Sequence, residues 1–184
     1  ASNPELCLSV DEWKVKFLRW IREPTPEALL QADIVFDFRP IYGDTTLVDE
    51  LREWLFDYTK DNRLFTRFMI QNALEVEPPL GLLRDFVTDE GPHKGTIDLK
   101  VRGTRIFVDV ARVFALVQGI AETGTANRLR AAAPKLGLPD AHIAAAVEGF
   151  HFLQTQRLRT QQAGSKREDA NRLDPRSLNE IDRL

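Results

Sequence analysis

Asp37 and Arg39 stand two residues apart in the run Asp33-Ile34-Val35-Phe36-Asp37-Phe38-Arg39. In an extended chain, side chains two apart leave the same face, so a carboxylate and a guanidinium would lie side by side. On a rigid strand such a pair suits a metal ion beside a phosphate, because phosphoryl transfer needs metal-holding carboxylates fixed in place. The same spacing equally suits an internal Asp–Arg ion pair, which is the commoner use of those residue types.

A second group lies further on. His93, Lys94, Asp98 and Lys100 are close in sequence, and Asp109 and Arg112 begin the helix expected after them. On a regular strand Thr96, Asp98 and Lys100 would share one face. That face is either a solvated surface or a wall of charged donors for a nucleotide or for an acidic group on an acceptor. Asp109, at a helix start, would also serve as a cap. Gln156, Arg157, Arg159 and Gln161 cluster at the end of the longest expected helix, where cations favour the helix C-terminus in any case. His93, His142 and His151 do not have metal-ligand spacing, and the chain has no H-E-x-x-H, C-x-x-C, glycine-rich phosphate loop or G-x-S-x-G elbow.

The elements that must position these residues are mostly helical. Ser9 and Glu12 form a capping box ahead of Trp13, Phe17, Trp20 and Ile21, which fall on one helical face until Pro24. Thr25-Pro26 restarts a short helical turn through Leu30. Alternation then predicts a strand over Asp33 to Arg39, with Ile34, Phe36 and Phe38 on one side and Asp37 on the other. Gly43-Asp44-Thr45 is a turn leading to a helix with Leu47, Leu51, Trp54, Leu55 and Tyr58 inward. Another helix carries Leu64, Phe65, Phe68, Met69 and Ala73 up to Pro78-Pro79. Gly95 to Lys100 and Arg105 to Val108 flank Arg102-Gly103 and are expected to pair as a β-hairpin. Helices follow over Asp109 to Ile120, from Thr125 with Leu129, Ala133 and Leu136 aligned, and over Asp140 to about Arg159. Gln161 to Arg172 is polar, and Asp174-Pro175 is expected to start a last helix.

The expected architecture is therefore mainly α: an antiparallel helical bundle with one isolated strand and a small β-hairpin. A lone strand with an apolar face needs partners, so it should join a sheet built from another segment. Residues 1–45 are expected to be the end of an α/β domain. Residues 46–184 should form a helical domain with the hairpin near 95–108. The opening Ala1-Ser2-Asn3-Pro4 and the close within an expected helix read as a piece of a longer polypeptide.

Composition sets the outer limits. With 184 residues, 43% of them hydrophobic, the chain can bury a substantial core. Lys and Arg number 25 against 28 Asp and Glu, a formal net charge of -3, which argues against duplex nucleic acid as the ligand. No apolar run is long enough for a membrane span. The single cysteine, Cys7, excludes an internal disulfide framework and points to a reducing, cytoplasmic setting.

Several stretches resemble one bacterial family. They are Asp33-Ile34-Val35-Phe36-Asp37-Phe38-Arg39-Pro40-Ile41-Tyr42-Gly43-Asp44, Pro78-Pro79-Leu80-Gly81, His93 through Lys100, and Asp109-Val110-Ala111-Arg112-Val113-Phe114-Ala115-Leu116. Gly119-Ile120, Thr123, Thr125, Arg128-Leu129, Phe152-Leu153, Arg157-Leu158-Arg159 and Gln161 extend the match. The family is the nucleotidyltransferase substrate-binding domain, found downstream of CBS and cyclic-nucleotide-binding modules in signal-transduction proteins. The resemblance implies a place in the DNA polymerase β-like superfamily, where an upstream Gly-Ser segment and a paired Asp-x-Asp hold magnesium and nucleotide. Ahead of Asp37 this chain has neither motif. Asp37 would then be the third carboxylate completing the metal site, with Arg39 set against phosphate. Lys94, Asp98, Lys100, Arg112 and Arg157 would contact nucleotide or acceptor.

The implied partners are a nucleoside triphosphate, an unknown acceptor that includes proteins, and the upstream domains. The implied cofactor is Mg2+, in the full-length enzyme. Joined to its catalytic half, the chain would serve transfer of a nucleotidyl group; alone it should be catalytically silent. The alternative is a non-catalytic regulatory module relaying signals from the CBS or cyclic-nucleotide domains, for which Asp37 would be buried in an ion pair. A dimerisation bundle, with Trp54, Phe65 or Phe150 at a self-complementary interface, is a third reading.

Overall fold

The structure, a computed structural model, describes residues 3–81, 85–163 and 169–179. The fold is mainly α, with seven α-helices and one two-stranded antiparallel sheet among the described residues. Two compact units form, one from residues 1–73 with 109–138 and the other from 74–108 with 139–184. Residues 1–45 therefore share a unit with helices that come much later in the chain, and the expected division at residue 45 does not coincide with either unit.

In the first unit, α1 (Val10–Arg22) starts on the expected capping box: the Ser9 hydroxyl accepts from the Glu12 N–H, and the Glu12 carboxylate accepts from the Ser9 N–H. This satisfies two N–H groups that a helix start leaves open. Phe17, Trp20 and Ile21 are buried on one face of it. Thr25 then caps α2 (Pro26–Val35), its hydroxyl accepting from the Ala28 N–H.

Here the expected strand over Asp33 to Arg39 is corrected. The helix begun at Pro26 continues to Val35, and the chain then turns, with the Phe38 N–H donating to the Val35 carbonyl. Ala28, Leu29, Ala32, Val35 and Phe36 fit the helical period, and the first three are buried. The two-residue alternation was a second reading of the same short apolar run, and the well-capped start decided between them. A sheet supplied from elsewhere for this segment loses its premise.

α3 (Thr46–Thr59) is begun by Asp44, which accepts from the backbone N–H and the hydroxyl of Thr46. α4 (Arg63–Leu74) is begun by Asn62, whose side chain accepts from the Phe65 N–H. Leu51 and Leu55 of α3, Phe65, Met69 and Ala73 of α4, and Val113 and Leu116 of α5 (Arg105–Gln118) join Phe17 in one core. α6 (Thr125–Leu136) adds Ala132, which packs with Ala115 and Ile120. Gly124 is its N-cap residue, with no side-chain cap.

In the second unit the expected β-hairpin over 95–108 is also corrected. The first arm exists as β1 (Ile97–Asp98), but it pairs with β2 (Arg172–Leu173), not with residues 105–108. Asp98 turns the chain away: its carboxylate accepts from the N–H groups of both Lys100 and Val101. A wide helical turn, Lys100–Thr104, follows and runs directly into α5. Ile106, Phe107 and Val108, β-branched or aromatic, thus lie in a helix, where packing overrides their strand preference. Asp109 stands inside α5 and not at its start.

α7 (Asp140–Gln162) buries Ile143, Val147 and Phe150, and the Phe107 and Phe150 rings meet at 6.0 Å. Gly103 lies so close to α7 that a β-carbon there would sit 3.4 Å from the Leu153 side chain. Asp174-Pro175 starts a single 3-10 turn, Pro175–Ser177, in place of the expected helix, whose remainder at 180–184 lies outside the described residues. The polar segment after Gln161 includes 164–168, also outside them. Phe65 and Phe150, proposed for a self-complementary interface, are buried in the interior, and Trp54 stacks on Tyr58 within the chain.

Candidate functional site

Phe36, Asp37 and Phe38 follow α2 directly, and their side chains divide. The Phe36 and Phe38 rings meet Phe17 at 5.2 and 6.0 Å, which anchors the turn in the core. Asp37, between them, accepts from two arginines. One oxygen takes Arg112 Nε at 2.7 Å and Nη2 at 2.5 Å, and the other takes Arg128 Nη1 at 2.5 Å. Arg112 also reaches Asp109 at 3.3 Å, and Arg128 Nε donates to the Glu122 carbonyl at 2.6 Å.

Burial makes the pairing necessary. Arg128 is only 6% exposed and Asp109 4%, while the Asp37 side chain keeps 29% of its surface. A buried guanidinium without a counter-charge costs several kcal/mol, roughly the penalty of leaving an ion unpaired. Two carboxylates and two guanidiniums here make a neutral cluster, with each arginine holding more than one acceptor. Beside it Arg52 lies over the Phe38 ring and donates to the Phe38 carbonyl at 3.2 Å. Together with Leu55, Phe56, Met69 and Ile120 these residues line a cleft of about 30 Å³, room for a water or two and not for a nucleoside.

The cluster also tests the metal expected at Asp37. Both carboxylate oxygens are engaged by cations, so a divalent ion would have to displace a guanidinium from either of them. Among the described residues, no three His, Cys, Asp or Glu side chains converge where they could hold a metal. The residues present do not fit magnesium by themselves.

Of the residues expected in a site, the structure brings Asp37 and Arg112 together across 75 positions of sequence. Arg39 is exposed and takes no part in the cluster. Lys94, Asp98, Lys100 and Arg157 belong to the other unit. There Lys94 and Lys100 are exposed, while Asp98 holds the turn at 100–101 and lies 3.8 Å from Arg172. Arg157 donates to Asn171 at 3.1 Å, to Gln154 at 2.8 Å and to the Thr104 hydroxyl at 3.2 Å, tying α7 to the turn before α5 and to the residue before β2. Its geometry is that of a clamp. Arg157→Lys keeps the charge but cannot span those acceptors, and is expected to cost about 1–2 kcal/mol in urea denaturation. Unchanged stability would mean that the guanidinium is spare for a ligand.

Two groupings were not anticipated. Arg128 was readable: it falls on the same side of α6 as buried Ala132, four residues on, and an arginine at a core-facing position signals a buried partner. In the second unit Asp89 binds both Arg102, at 3.1 Å, and Arg172, and Arg102 also donates to the Val87 carbonyl. Nothing local in the sequence joins Asp89 to a residue so far along.

A family model described as "Putative nucleotidyltransferase substrate binding domain" matches residues 63–184. The matched part contains Arg112, Arg128 and Arg157, whereas Asp37, Arg39 and the stretch from Asp33 to Asp44 precede it. No curated protein and no solved structure gives a significant match.

Proposed function

The chain belongs to the nucleotidyltransferase substrate-binding domain family, and from that premise we propose that it is the binding part of an enzyme moving a nucleotidyl group from a nucleoside triphosphate to an acceptor. The observation that favours a binding role over a chemical one is the state of Asp37. Its carboxylate aligns two guanidinium groups instead of standing free for a metal. Paired carboxylates and their magnesium would belong to a separate nucleotidyltransferase segment, where catalysis rests on positioning and charge stabilisation. This chain's contribution is to bind and orient. Arg39 in the first unit, and Lys94 and Lys100 in the second, are exposed cations, each available to phosphate or acceptor. The parent would be a bacterial, cytoplasmic signal-transduction protein with CBS and cyclic-nucleotide-binding domains upstream.

The ion-paired Asp37 also favours a second reading, a regulatory module that relays a signal without transfer. Calorimetric titration separates the two. ATP, UTP, CTP and GTP with magnesium are titrated into the protein carrying its nucleotidyltransferase segment, next to an Arg39→Gln version checked for folding by circular dichroism. The expected result is magnesium-dependent binding of one triphosphate, weakened about tenfold or more by the substitution, the scale of one lost charged hydrogen-bond pair. Absence of binding by the folded protein would replace transfer with the regulatory reading.

A further inference from the structure

In the first unit a shallow groove runs along α4, lined by Lys60, Arg63, Arg67, Ile70 and Val117, with Thr66 and Gln71 between them. Its space is about 340 Å³. It holds three cations and no acid, in a chain whose formal net charge is -3. Among the described residues none of the three side chains makes a hydrogen bond or an ion pair, in contrast to the arginines of the Asp37 cluster.

The fold gives no reason for this placement. Arg63 is the first residue of α4, where the helix dipole presents its positive end and an acid is favoured; the first turn contains none. The start of the helix is already capped by the Asn62 side chain. Arg63 and Arg67 are four apart and so share a face, and Ile70 continues it along the helix. Ile70 is 42% exposed and Val117 38%, so the cationic half of the stripe passes into an apolar half.

We propose that this face of α4 docks an acidic polypeptide segment, whose carboxylates meet Lys60, Arg63 and Arg67 and whose apolar side chains seat on Ile70 and Val117. A peptide is favoured over a small polyanion because the groove is shallow and half apolar, which suits side chains spaced along a helix or strand more than a compact phosphate. The partner is thus distinct from the triphosphate of the transfer reaction, and the inference does not depend on that reaction.

The test uses a fluorescein-labelled helical peptide with glutamates on one stretch of a face and leucines on the next turns, followed by anisotropy at low salt. Comparison peptides replace the leucines by serine or the glutamates by lysine. The expected result is saturable binding by the Glu/Leu peptide, weakened at least tenfold by Arg63→Glu with Arg67→Glu, and weakened by the serine replacement. The double variant is checked by circular dichroism, and Arg63→Lys with Arg67→Lys is expected to retain binding. No binding by the Glu/Leu peptide, equal binding by the serine peptide, or complete competition by inorganic triphosphate would each overturn the proposal.

Discussion

Phe17→Ala is expected to destabilise the protein by about 4 kcal/mol, the range for deleting a fully buried aromatic ring. Phe17 has no exposed surface, and its ring lies 5.2–6.5 Å from those of Trp13, Trp20, Phe36, Phe38 and Trp54. Deleting it opens a cavity walled by rigid rings that cannot readily close around it, and forfeits several aromatic contacts at once. The effect should extend to the ion cluster, because Phe36 and Phe38 hold the turn that carries Asp37. All three tryptophans of the chain border Phe17, so their emission should shift to the red in the folded variant as water gains access. Urea denaturation followed by fluorescence measures both quantities. A loss below about 2 kcal/mol, short of the range for such a deletion, would mean that the aromatic cluster is not the keystone of this unit.

Asp37→Ala is the second large effect, about 3 kcal/mol. The substitution leaves Arg128, almost wholly buried, and Arg112 with less negative charge than positive. Breaking one partner of a buried pair typically costs about 3–5 kcal/mol, and the lower end applies because Asp37 retains some water contact. The origin of the loss can be isolated. Adding Arg128→Met to Asp37→Ala removes the stranded charge, and the double variant should recover part of the stability, since apolar replacements of a buried pair are often well tolerated. Losses that simply add would show that Asp37 and Arg128 do not act as a unit. A metal-ligand carboxylate would behave in the opposite way: its removal would relieve repulsion among acids and stabilise the protein.

Much of this was legible in the sequence, though not under the expected labels. Capping at Ser9, Thr25 and Asn62 lies in residue types and short spacings, and helix starts are local chemistry. The sidedness of Phe36, Asp37 and Phe38 held, but Ile34, expected beside the two rings, is exposed and Val35, expected opposite them, packs on the core. The two rings go to the core and the carboxylate goes the other way, yet a turn after a helix produces this and not a strand. Ten residues rich in Ala, Leu, Ile and Val admit both periods, and only tertiary packing separates them. The partner of β1 was beyond local reading, because Ile97 and Leu173 are joined by nothing but the fold. So were the partners of Asp37. Spacing suggested Arg39, while burial selected Arg112 and Arg128, whose guanidiniums needed a charge in the interior.

Asp37 is 75 residues from Arg112 and 91 from Arg128, and the compact unit that contains all three is interrupted by residues 74–108. Order of synthesis therefore matters. When α1 to α4 have left the ribosome, the aromatic core can begin to gather, but the Asp37 carboxylate has no partner until α5 and α6 emerge. Closure of that long loop is the late, entropically costly event in forming this unit. Until then the apolar faces of α3 and α4 that will receive Val113 and Leu116 stand open. A nascent chain stalled between residues 74 and 108 would present that surface to chaperones, while one released after residue 138 would have the means to cover it.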